Sequence, residues 1–135
     1  MDILGHKRKE QKMIFDLFEK ASVLHGHKCP GLALGVRVAD EAMKKLGVEQ
    51  GDERLRCVTE KMACFNDGIQ SVSGCTLKNG RLSYLPNDKA AFRFYLDGGE
   101  ESVYYTAREL GHGGNREEKI KFILTAPLDE VFIIE

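Results

Sequence analysis

An α+β fold, a mostly antiparallel sheet packed with N-terminal helices in one compact core domain over residues 1–135, follows from three features of this chain. Two stretches near the N-terminus repeat apolar residues at helical spacing. Short segments rich in Tyr, Phe and Val follow, separated by turn signals. The length of 135 residues matches about one domain, so the elements share one core.

From Lys9 to Leu24 apolar residues fall at Ile14, Leu17, Phe18, Ala21 and Leu24, the stripe of an amphipathic helix. A second helix spans Gly31 to Leu46, with Leu32, Val36, Ala39, Met43 and Leu46 on one stripe and Gly47 as its stop. Gly31, Gly35 and Ala39 add a line of small residues. Glycine inside a helix costs about 1 kcal/mol relative to alanine, so Gly35 points to close approach of another helix or subunit. Leu55 to Ala63 reads as a strand leading into the short helix FNDGIQSVSGC, which ends at Gly74. Arg81 to Tyr84, Ala90 to Leu96 and Ser102 to Thr106 form an antiparallel meander around the PND and DGG turns. GHGGN is a loop, Arg116 to Leu124 a helix and Val131 to Ile134 a last strand. Strands grouped between helices favour α+β over a doubly wound sheet.

Composition excludes several classes of function. With 42% hydrophobic and 30% charged residues the chain is neither disordered nor fibrous. Lys and Arg number 20 against 21 Asp and Glu, a net charge of −1 that provides no basic face for nucleic acid. Apolar runs such as Val131 to Ile134 are far too short to span a bilayer, so no membrane partner is expected. The start MDILGHKRKEQK lacks a signal-peptide core, which makes the expected location cytoplasmic. In a reducing cytosol Cys29, Cys57, Cys64 and Cys75 suit metal ligation or thiol chemistry better than disulfides.

The densest chemical signal is His25-Gly26-His27-Lys28-Cys29-Pro30-Gly31, between the first two helices. Pro30 suits the first turn of the second helix and pushes Cys29 toward an extended conformation. Unpaired N–H groups at that helix start stabilise a thiolate. Residues two apart in an extended chain point the same way, so His25, His27 and Cys29 can converge on a zinc-like ion. The competing reading, a loop whose histidines and thiol serve hydrogen bonding and packing, stays open at this point. His6 and His112 read as ordinary surface or turn residues.

A second cluster holds Cys64, Asp67, Gln70, Cys75 and Thr76. Eleven residues of straight helix between Cys64 and Cys75 would span about 16 Å at about 1.5 Å per residue. Two thiolates on one zinc lie roughly 4 Å apart, so Cys64 is assigned to the ion and Cys75 is left beside it. Asp67 and Gln70, at i and i+3, share a helix face and can orient a ligand, although capping and solvation explain them equally well. Cys57 reads as a small core residue, and Tyr84, Tyr95, Tyr104 and Tyr105 as core or interface residues.

Taken together, HGHKCPGLALGVRVADEAMKKLG and CFNDGIQSVSGCT resemble the two motifs of the FmdE family, named after a subunit of formylmethanofuran dehydrogenase, and ILTAPLDEVFIIE resembles the end of its core domain. The resemblance covers the core without the family's C-terminal cysteine-rich zinc finger, and LKNGRLSYLPNDKAAF departs from the glycine-rich stretch usual after the second motif. It implies a dimeric α+β core with His and Cys lining a metal cleft. By that likeness His25, His27, Cys29 and Cys64 are the metal ligands, with zinc the expected ion. Cys29, Cys64 and Asp67 are the candidate catalytic groups, and Gln70, Cys75 and Thr76 the cofactor-binding ones. The implied function is a metal-binding accessory protein of a molybdenum or tungsten formylmethanofuran dehydrogenase, working as a homodimer. The alternatives are an enzyme using the metal or Cys29 on a small one-carbon or pterin-like substrate, and a thiol redox protein pairing Cys29 with Cys64 or Cys75.

Overall fold

A computed structural model describes residues 3–110 and 114–135, so His112 and most of the expected GHGGN loop lie outside the described residues. The chain runs α1 (Ile3–His25), α2 (Pro30–Leu46), β1 (Leu55–Thr59), α3 (Phe65–Ser73), β2 (Leu82–Tyr84), β3 (Ala91–Leu96), β4 (Ser102–Ala107), α4 (Arg116–Thr125), α5 (Leu128–Val131) and β5 (Phe132–Ile134). The helices pack on one face of a five-stranded sheet of order β2-β1-β3-β4-β5, antiparallel except for the β1–β2 pair, as expected of an α+β domain.

The expected meander is corrected at β2. This strand does not lie between β1 and β3; it pairs parallel with β1 at the sheet edge, Cys57 beside Leu82, while β3 takes the other side of β1 with Cys57 opposite Phe94. The reason is that α3 intervenes between β1 and β2 as a crossover, which returns the chain parallel to its start. β1 also stops at Thr59, and the single turn α5 was not anticipated because its four residues are too few to show a period.

Alternation along the strands separates two faces. Leu55, Cys57, Phe92, Phe94, Val103 and Tyr105 are buried toward the helices, where Phe65 meets Phe92 and Phe94 meets Tyr105 edge to face. Each such ring contributes about 1.5–3 kcal/mol by leaving water. The outer face carries Arg93, whose guanidinium sits 4.7 Å from the centre of the Tyr104 ring. Beside it the Glu60 carboxylate accepts hydrogen bonds from Tyr104 Oη at 2.5 Å and Asn87 Nδ2 at 2.7 Å, which hold its pKa below the ordinary value.

The core side of α1 is Ile14, Phe18 and Ala21, all buried. The next position on that line is i+4 from Ala21, which is His25 rather than Leu24. Leu24 is accordingly 77% exposed, and the histidine occupies the inward-facing end of the stripe.

α2 is the central helix, and its stripe Leu32, Val36, Ala39, Met43 and Leu46 is buried as its spacing predicts. Its small-residue line meets α3. A Cβ at Gly35 would fall 1.9 Å from the Phe65 carbonyl oxygen, and one at Gly68 would fall 2.6 Å from the Leu32 carbonyl oxygen. The two helices therefore touch backbone to backbone, an approach that only glycine permits on both sides.

Candidate metal centre

That crossing sets the two helix starts side by side. α2 begins after Cys29, which is extended at φ −149° and ψ 158° as the following proline requires, and whose Sγ accepts from the Leu32 N–H at 3.4 Å. α3 begins after Cys64, whose side chain makes no capping bond and lies beside Cys29. α1 delivers His25 in its last turn. Gly26, at φ +97°, then reverses the chain, with its N–H on the Ser22 carbonyl at 2.8 Å. His27 follows in the exposed turn, its ring centre 4.3 Å from that of His25.

One ligand atom from each of His25, His27, Cys29 and Cys64 lies within 4.8 Å of the others. Donors on one tetrahedral zinc lie roughly 4 Å apart or less, so the group needs only a small contraction to close on an ion. The histidine geometry argues for that use. His25 Nδ1 is 2.5 Å from Asp67 Oδ2, and the side chain is only 11% exposed. With a proton held on Nδ1 by the carboxylate, Nε2 carries a lone pair. That atom is buried and has no hydrogen-bond partner among the described residues. A buried acceptor left unpaired costs about 1–3 kcal/mol; a metal ion satisfies it, and a carboxylate behind the histidine is the usual outer support of such a bond. Gln70 Nε2 donates to Asp67 Oδ1 at 3.4 Å, while its Oε1 accepts from the Leu77 N–H. Burial, then the hydrogen bond and charge of Cys29, then the charge of Asp67 push the Cys64 thiol above its ordinary pKa. Without a cation the pair of sulfurs keeps a proton; a divalent ion would take its place.

A family model described as "FmdE, Molybdenum formylmethanofuran dehydrogenase operon" matches residues 24–133, a span that contains all four residues of the cluster. The chain belongs to the FmdE family. A protein of Syntrophus aciditrophicus, described as tungsten formylmethanofuran dehydrogenase FmdE-like, shares the fold at a TM-score of 0.58 and 28% identity, over 70% of this chain and 50% of that one. A protein of Archaeoglobus fulgidus named "Probable S-adenosyl-L-methionine-binding protein" is 42% identical over 86 residues, 60% of this chain. This FmdE chain spans only 24% of that relative's length.

Within the FmdE core the remaining residues singled out in the sequence separate. Asp67 and Gln70 stand behind His25, as described. Cys75 is 1% exposed, and its Sγ lies 3.3 Å from the Leu55 carbonyl oxygen, in the core near Cys57 and outside the group of four. The chain turns at Gly74 and carries Cys75 under β1 rather than back to Cys64. Thr76 closes a turn: its N–H donates to Asn79 Oδ1, and its Oγ1 accepts from the Asn79 N–H. Cys57 is a core residue. Asn66, to which the sequence suggested no role, is 4% exposed and donates from Nδ2 to the Lys61 carbonyl at 2.9 Å, which ties down the loop entering Cys64. Its signal, a polar residue on the inner side of a short helix, is visible only once the face of α3 is known.

Proposed function

We propose that this FmdE-family chain holds one transition metal ion, zinc, through His25, His27, Cys29 and Cys64, and serves as a metal-binding accessory to a formylmethanofuran dehydrogenase. The observation that carries the reading is His25: Nδ1 bonded to Asp67, Nε2 buried without a partner, and three further donors within 4.8 Å. Two thiolates and two imidazoles form the soft to borderline donor set that favours zinc over hard cations. The two thiolate charges balance a divalent ion. The link to the dehydrogenase rests on the family match and the name of the Syntrophus protein. A homodimer in the cytoplasm, where the thiols stay reduced, completes the proposal.

The test is metal content by mass spectrometry on protein purified without air. A near-stoichiometric metal that drops in both Cys29→Ser and Cys64→Ser is expected, and a metal-free native protein would refute the reading. Solution mass tests the dimer. A second ligand is favoured by the similarity to the Archaeoglobus protein: S-adenosylmethionine, for which equilibrium dialysis with the labelled compound is the check.

A further inference from the structure

The four members of the cluster are not held alike. His25 is fixed by Asp67. Cys29 is fixed by its place as the cap of α2, with Sγ on the Leu32 N–H. Cys64 sits at the start of α3, wedged near Gly31, where a Cβ would be 3.3 Å from its own. His27 alone of the four is exposed. Its ring contact is His25, and among the described residues it has no hydrogen bond or ion pair. It follows a glycine at φ +97° with open space around it, and Lys28 beyond it is tied only to the exposed Glu19.

Resting on the metal-binding reading, we infer that His27 is an exchangeable ligand, and that a small neutral nitrogen-donor heterocycle takes its place on a site anchored by His25, Cys29 and Cys64. The three anchored residues form a Cys2His set, the donor set of zinc sites that keep a fourth position for substrate. The ligand class follows from charge. Two thiolates already neutralise a divalent ion, Asp67 adds a negative charge behind His25, and the nearby cations are engaged, Lys28 with Glu19 and Lys61 with Asp88. An anionic ligand would leave uncompensated charge there; a neutral nitrogen replaces an imidazole like for like. Exposed Val23, Leu24 and Met62, neighbours in sequence of the ligands, suit the apolar body of such a molecule.

The test uses the full chain loaded with Co²⁺ as wild type, His27→Ala and His25→Ala, with circular dichroism as a check of folding, and reads visible ligand-field bands and chelator competition. His27→Ala is expected to keep one ion per chain, with affinity reduced by no more than about the 10- to 100-fold that loss of an outer ligand partner costs, while His25→Ala loses more. Imidazole should shift the wild-type bands saturably and return those of His27→Ala to the wild-type form, and azide should bind more weakly than imidazole. The inference is overturned if His27→Ala releases the ion as completely as His25→Ala, if imidazole changes neither spectrum, or if azide outcompetes it. A wild type that takes up no cobalt would instead overturn the metal reading itself, and this inference with it.

Discussion

Gly35→Ala tests the joint on which the candidate site depends. The new Cβ would sit 1.9 Å from the Phe65 carbonyl oxygen, 2.7 Å from its carbon and 2.8 Å from its Cα, where ordinary contact begins at 3.4 Å. The shortfall is about 1.5 Å, and the obstacle is backbone, which cannot rotate away as a flexible side chain could. α3 must therefore move off α2 and loosen Phe65, Ile69 and Val72, all buried. Alanine returns about 1 kcal/mol of helix propensity. Overpacking costs about 1–3 kcal/mol and more where nothing can yield, so a net loss of roughly 2 kcal/mol is expected. In a chain of this size that lowers Tm by about 6–10 °C. Cys64 immediately precedes Phe65 and shifts with it, well beyond the roughly 0.2 Å tolerance of metal-ligand bonds. Urea unfolding of the metal-free protein and chelator competition for zinc read the two effects. Gly31→Ala, with its nearest atom at 3.3 Å, is the mild control. A Gly35→Ala protein as stable as wild type, with unchanged metal affinity, would refute the close crossing of α2 and α3.

Asp67→Ala should lower metal affinity about 10- to 100-fold, measured by chelator competition, because His25 loses the group that orients it; unchanged affinity would remove Asp67 from the site. Cys64→Ser should lose metal while Cys75→Ala keeps it and instead destabilises the fold by about 1 kcal/mol in urea unfolding, since Cys75 is a core residue. The Glu60 pKa is depressed, first by Tyr104 and then by Asn87, so its stabilising contribution is present above its ordinary 4.5 and is lost as pH falls through the lower folded value. Tyr104→Phe should therefore be less stable than wild type at pH 7, with the gap in urea midpoint narrowing below pH 4.5; a gap independent of pH would refute the coupling.

Much of the fold is legible in local patterns. The stripe of α2 from Leu32 to Leu46, the stop at Gly47, the end of α3 at Gly74 and the strands β3 and β4 all lie where spacing and turn residues put them. So does the extended backbone at Cys29, a steric consequence of Pro30. The pairing of β2 is not legible, because three residues specify an extended segment and say nothing of which neighbour it joins. Leu24 shows the limit of the helical stripe: placed by apolar character on the core side of α1, it yields that position to His25, whose inward location is a first structural sign of a site.

The sequence by itself determined which residues could carry the chemistry, since His-x-His-x-Cys before a proline-started helix and Cys-x-x-Asp at the start of another are short-range patterns set by backbone sterics and helix geometry. Only the tertiary structure decided which of them meet. Cys64 joins the histidines while Cys75 goes to the core, and Asp67 braces His25 across 42 positions of chain. Both outcomes follow from one contact far apart in sequence, the touching backbones at Gly35 and Gly68. Glycine announces there that something comes near, but which element does so depends on the packing of the whole core.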